Sequence, residues 1–248
     1  QEGRIAGINV AKRLDGELVS FLVPAEPAAA LVERARNGAP LSVEAARAEI
    51  ARQIDHFQSG LLKALDSSGF KSTPQGPYRV PESQAPWLQC WARTNADATP
   101  RPRALISTTA CNTQTSVFIA DDLSTGTVEL SYSHVESVSL NDFQFAALLS
   151  ERAQPSQFEA GPRRRTTRHT CHEDFLRAAD DPAAPLLRAT LCARAYRDFP
   201  GIYDIAATAL TKDDPRNALV ARLTVRGVDW THGVAFVRRY LTAIRRTP

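Results

Sequence analysis

The residues able to do chemistry in this chain are scattered histidines, cysteines and paired acids. The densest group is His169-x-Cys171-His172, with Glu173 and Asp174 beside it. Adjacent ligands strain a tetrahedral metal site and no fourth ligand stands at a suitable spacing, so no metal is assigned. Asp121-Asp122 sits between two β-like runs. A calcium loop needs further oxygen ligands at fixed spacing, and the pair reads as a solvated turn. His56 lies beside an apolar helical stripe and reads as a packing or surface residue. His232 falls in the first turn of a helix, where the dipole disfavours its charge. The sequence places no nucleophile, base and acid together, so no catalytic residue and no cofactor is assigned.

Cys90, Cys111, Cys171 and Cys192 include no Cys-x-x-Cys pair, which weighs against a zinc ribbon or a thioredoxin-like site. They fall into two couples of equal separation, Cys90 with Cys111 and Cys171 with Cys192. Pairing within each couple would close two local loops at modest strain, and it is one of the pairings that such a set allows. Disulfides imply an oxidising compartment, hence the periplasm or secretion. Four buried thiols would instead suit the cytosol.

The 248 residues are 43% hydrophobic and 23% charged, which excludes a wholly disordered chain. No stretch approaches the roughly 18 apolar residues of a spanning helix. The formal charge is only +3, with acids and bases interspersed, and a non-specific nucleic-acid binder would carry a stronger basic excess. Arg163-Arg164-Arg165-Thr166-Thr167-Arg168 is a short basic run without interleaved aromatics. It reads as a solvated linker rather than a single-strand binding surface. Methionine is absent and residues 1–4 have no signal-peptide character. The expectation is a chain that begins inside a longer precursor.

The elements that must position these residues follow from periodicity. Residues 4–11 and 18–23 read as strands joined at Asp15-Gly16, a hairpin signal. Ala25 to Arg36 has helical spacing, closed by Asn37-Gly38. Ser42 caps a long helix over 42–66, whose stripe is Val43, Ala46, Ile50, Ile54, Phe57, Leu61 and Leu65, with Gln58 on the polar side. Residues 72–104 hold Pro74, Pro77, Pro81, Pro86, Pro100 and Pro102 and read as loop-rich, with a short strand at Trp87–Trp91. A hairpin is expected over 115–136, turned at Asp121–Gly126, and Asn141-Asp142 caps a helix. A short helix is expected near Glu173–Ala179. Three antiparallel strands follow over 187–225, the first two turned at Pro200-Gly201, and a helix over 229–246 is capped by Asp229. The fold class is α+β.

The first hairpin carries a resemblance. Gly3-Arg4-Ile5-Ala6-Gly7-Ile8-Asn9, then Ser20-Phe21-Leu22-Val23-Pro24 and a helix, resembles the segment that follows the nucleophilic serine in trypsin-like serine proteases of the HtrA/Deg type. The match covers residues 1–38. It implies the last hairpin and closing helix of a chymotrypsin-like barrel. Residues 39–248 carry no such resemblance and read by pattern as a helix-rich linker and an accessory antiparallel-sheet domain with covering helices. The match also implies that Ile8, Asn9, Val10 and Ala11 form one wall of the substrate pocket. No Gly-x-Ser-Gly-Gly occurs in the chain, so the family's chain order of histidine, aspartate, serine puts the whole triad upstream. No PDZ-like glycine-rich carboxylate loop follows Gly38. The resemblance thus implies the C-terminal portion of an exported serine endopeptidase. Its partners would be a polypeptide substrate or envelope protein and the missing N-terminal protease segment, with no nucleic acid and no membrane span. The alternative is a non-catalytic, disulfide-bonded binding module of the periplasm or the secreted fraction.

Overall fold

The structure is a computed structural model that describes residues 5–12, 20–67, 70–82, 85–154, 163–178, 181 and 183–247. The chain divides into two compact units, Gln1–Ala46 and Arg47–Pro248. In the first, β1 (Gly7–Lys12) and β2 (Ser20–Pro24) pair antiparallel as a two-stranded sheet, and α1 (Ala25–Asn37) follows directly. The register shifts between Asn9 and Ala11, leaving Val10 as a bulge. The expected Asp15-Gly16 turn lies outside the described residues.

Helix α2 (Val43–Ser67) begins as expected, with Ser42 Oγ accepting the Ala45 N–H at 3.1 Å. Its buried face is rotated from the expected one. Ala51, Ile54, Gln58, Leu62 and Leu65 are buried, while Val43, Ile50 and Phe57 are exposed. Gln58, assigned to the polar side by pattern, is fully buried and its Nε2 donates to the Thr127 carbonyl at 3.4 Å. That carbonyl comes from a distant strand end, which helical periodicity does not register.

The second unit is built on an antiparallel sheet. Its strands are β5 (Leu88–Thr94), β6 (Ala104–Thr113), β9 (Val128–Ser137), β10 (Thr170–Leu176), β11 (Leu187–Ala195), β12 (Ile202–Thr211) and β13 (Asn217–Asp229). Their spatial order is β10-β11-β12-β13-β9-β6-β5. A smaller sheet joins β3 (Lys71–Gln75), β4 (Tyr78–Glu82) and β14 (Arg245–Arg246), and β7 (Val117–Ala120) pairs with β8 (Leu123–Thr125). Among the described residues no helix is long and apolar enough to cross a membrane.

Central strands alternate between two cores, as a sheet covered on both faces requires. Leu219, Ala221, Leu223 and Val225 of β13 join Phe236, Val237, Tyr240 and Leu241 of α4 (Trp230–Thr242) and the Leu62–Leu65 end of α2. Ala218 and Val220 turn the other way, onto Phe145 and Leu149 of α3 (Asp142–Arg152). Helix α3 starts on a complete capping box. Asn141 Oδ1 accepts the Gln144 N–H at 2.9 Å, and Gln144 Oε1 accepts the Asn141 N–H at 3.2 Å. Strand β13 bends at Gly227, where the pairing with β12 shifts by one residue. Gly227 has φ +82°, and a Cβ there would collide with Thr125 Oγ1 and Ile54 Cγ2, so only glycine fits this bulge without strain.

Several expectations are corrected. The proline-rich stretch 72–104 also contains the short strands β3 and β4, which tolerate Pro74 and Pro81, while the strand expected at Trp87–Trp91 is observed as β5. The hairpin over 115–136 is two structures. Val117–Ala120 turns back onto Leu123–Thr125, while β9 leaves to pair with β6 and β13. The helix near Glu173–Ala179 is strand β10, recruited by cross-strand pairing with β11. The final helix stops at Thr242, and Arg245–Arg246 pair with Arg79 and Tyr78. The three strands over 187–225 are observed as β11, β12 and β13, extended into the larger sheet.

Candidate functional site

Helix α4 is positioned by Asp229, whose Oδ1 accepts the N–H groups of Thr231 at 2.9 Å and His232 at 3.2 Å. Its residues Val234, Val237, Arg238 and Leu241 recur at helical spacing along one side. Together with β10, β11 and β12 they bound a groove of about 790 Å³. The floor is apolar, made by Leu187, Ala189 and Leu191 of β11 and Ala207 of β12. His172, Asp174 and Leu176 of β10 line it too, and Ile244 follows the end of α4.

The polar rim is mostly neutralised. Arg177 donates to Asp213 at 3.0 Å, and Arg245 pairs with Asp181. Arg238 is exposed and pairs with no acid among the described residues. The lining residues include no serine or cysteine. The groove thus joins an apolar floor, a strand at one side and the exposed guanidinium of Arg238.

Both edges of the main sheet are stapled. Cys90 and Cys111 face each other on β5 and β6, and Cys171 and Cys192 on β10 and β11. Each pair forms a disulfide between Cα atoms 4.0 Å apart, across the same sequence separation of 21. The equal couples in the sequence are therefore equivalent devices at opposite edges. Two disulfides suit an oxidising, extracytoplasmic environment. Cys171 is spent in its disulfide, so the His169–Asp174 cluster offers no thiolate to a metal. Glu173 instead accepts from Arg188 Nη2 at 2.9 Å and Thr190 Oγ1 at 3.1 Å. Arg188 holds the Glu173 carboxyl below its ordinary range.

A second polar centre escaped sequence reasoning. Asp204 is fully buried and is held by Arg194, whose Nε and Nη2 each lie 2.8 Å from its Oδ2. The Tyr196 hydroxyl donates to Asp204 Oδ1 at 2.7 Å, and the Gly227 N–H reaches the same oxygen at 3.2 Å. Burial pushes this carboxyl above the ordinary range, against the opposing pull of Arg194 and Tyr196. Arg194 and Asp204 are directly opposed across β11 and β12. That pairing was legible only once the register was known.

Asp55, Asp229 and His232 bring one ligand atom each within 4.8 Å of one another. Hydrogen bonding accounts for the cluster. Asp229 caps α4 and contacts His232 Nδ1, while Asp55 Oδ1 accepts the Asp229 N–H at 3.1 Å. The positive end of the helix opposes a cation there. His56 is exposed on α2. The basic run is largely exposed, with Arg163, Arg164 and Arg168 at the surface, but two of its arginines are also paired. Arg164 donates to Asp122 Oδ2 at 2.6 and 2.8 Å, and Arg165 to Asp198 at 3.2 Å. The expected turn at Asp121-Asp122 is observed, with Asp121 exposed and Asp122 partly buried in these ion pairs.

Of the expected pocket wall, Ile8 and Asn9 lie on β1 and Ile8 is exposed. Val10 and Ala11 continue the strand, and their side chains lie outside the described residues. The chain matches no protein-family model and no curated protein.

Proposed function

We propose that residues 1–38 are the last hairpin and closing helix of a trypsin-like barrel, within a serine endopeptidase exported to the periplasm or secreted. Ile8, Asn9, Val10 and Ala11 then form part of its substrate-pocket wall. The second unit is a non-catalytic accessory domain that binds substrate or a partner.

The observation that carries this reading is the state of the hairpin. Among the described residues it is a sheet of two strands, with Ile8 46% and Leu22 63% exposed. An isolated hairpin is at best marginally stable, and apolar faces of this kind require another layer. The remainder of a barrel supplies one. Gly7 adds support, because a Cβ there would lie 2.9 Å from the Val23 carbonyl oxygen. The glycine of the matched segment thus answers to close cross-strand approach. A free-standing binding module predicts instead that the hairpin joins the later sheet. Neither β1 nor β2 belongs to the seven-stranded sheet among the described residues.

In such an enzyme the upstream serine attacks a peptide carbonyl with histidine as its base. The β1 strand contributes wall and backbone, not proton transfer. The coding sequence upstream of Gln1 tests the reading. Gly-x-Ser-Gly-Gly is expected within about fifteen residues, and its absence there ends the protease assignment.

A further inference from the structure

Strand β10 closes one side of the seven-stranded sheet, and no described strand pairs with its outer edge. The register decides which backbone groups face outward. The directly opposed Cys171 and Cys192 have Cα atoms 4.0 Å apart, the close approach of a non-hydrogen-bonded pair. Alternation makes His172–Leu191 and Asp174–Ala189 the hydrogen-bonded pairs. Cys171, Glu173 and Phe175 therefore turn their N–H and C=O groups away from β11. The Phe175 N–H shows this direction, since it donates to the carboxylate of Asp174 at 2.7 Å, outside the ladder.

Two of the strongest protections of an edge, proline and lysine, are missing from Thr170–Leu176, although the strand carries the acids Glu173 and Asp174. Phe175 and Leu176 are 59% and 42% exposed. Immediately beside the edge lies the groove, with its apolar floor and with Arg238 free of acidic partners among the described residues.

We infer that β10 takes an extended polypeptide segment as an added outer strand. Apolar side chains from one face of the segment enter the groove between β10 and α4, and an acidic side chain meets Arg238. Two features select this occupant. Backbone donors and acceptors alternating at strand spacing are matched by an extended polypeptide and not by a helix or a lipid. The Arg238 guanidinium, which has no acidic partner among the described residues, selects an acid over a neutral or basic segment. Asp174 guards the site, because its carboxylate occupies the Phe175 N–H until an incoming carbonyl replaces it. The inference rests on the binding role proposed for the second unit and is independent of the barrel assignment of residues 1–38.

The test uses the 248-residue chain and a fluorescein-labelled peptide of about ten residues, alternating valine and threonine with one central glutamate. Saturable binding in about the micromolar range is expected, weakened about tenfold when glutamine replaces the glutamate. A twin with proline at alternate positions does not bind. Arg238→Gln weakens the glutamate peptide by the same factor and leaves the glutamine peptide unchanged. Amide exchange slows at Cys171 and Glu173. Cys171→Ser with Cys192→Ser weakens binding, while Cys90→Ser with Cys111→Ser at the far edge does not.

Four results overturn the inference. They are no binding, equal binding of the proline twin, protection at β5 in place of β10, and concentration-dependent protection of β10 without peptide, which assigns the edge to a second copy of the chain. A missing upstream serine motif ends the barrel reading and leaves these outcomes untouched.

Discussion

At the scale of single residues, the largest energetic commitment is the buried pair of Arg194 and Asp204. Taking both charges out of water is costly, and their mutual hydrogen bonds only offset that cost. Removing one partner is therefore far worse than removing both. Arg194→Met should lose about 3–5 kcal/mol in urea unfolding, because Asp204 is left buried and uncompensated. Arg194→Met combined with Asp204→Asn should lose clearly less, since asparagine still accepts from Tyr196 and Gly227. A double variant as unstable as the single one would refute the account. Little of this centre was legible in sequence. Arg194 and Asp204 are ordinary charged residues on alternating strands, and only the β11–β12 register opposes them. Gln58 teaches the same point, since its type placed it in solvent and a carbonyl from β9's approach placed it inside.

At the scale of elements, local rules served well where an element's own residues decide its form. Asn141, Asp229 and Ser42 cap the helices they were expected to cap. The Pro200-Gly201 turn joins β11 to β12, with Gly201 at φ +81°. Strand β10 is the opposite case, with every residue exposed and no apolar alternation to read. Its strand form comes from β11 and from the Cys171–Cys192 bond. Because the two disulfides close loops of the same length, chain entropy predicts equal losses. Either cysteine-to-serine double variant should lower stability by about 3 kcal/mol, read as matching shifts in denaturation midpoint. Intact-mass measurement with and without reductant should show both bonds in the native protein. Four alkylatable thiols would refute the extracytoplasmic assignment.

At the scale of the whole second unit, acid stability rests on carboxylates spread over separate elements. Arg164 holds Asp122 below its ordinary range, and Arg188 does the same for Glu173. Partial burial pushes Asp214 upward, but the backbone N–H groups of Arg216 and Asn217 and the side chains of Asn217 and Arg246 outweigh it, and the net direction is down. A carboxyl with a depressed folded pKa contributes fully above its unfolded value and loses that contribution as pH falls through the folded one. The melting temperature should therefore hold above the ordinary values of 3.8 for aspartate and 4.5 for glutamate and fall progressively below them. Asp214→Asn should lower the neutral melting temperature and flatten the acid limb. An unchanged acid limb would show that Asp214 is not one of the groups responsible. What the sequence determined by itself was local: which runs form the central strands, where the helices start, and that the cysteines fall into two equal couples. Those features depend on periodicity and on neighbours within a few residues. Tertiary structure alone decided that β9 joins β6 to β13, that the couples staple opposite edges, and that α4 leaves a groove beside an open strand. Each depends on partners far apart in the chain, whose pairing is set by the competition of whole faces for burial.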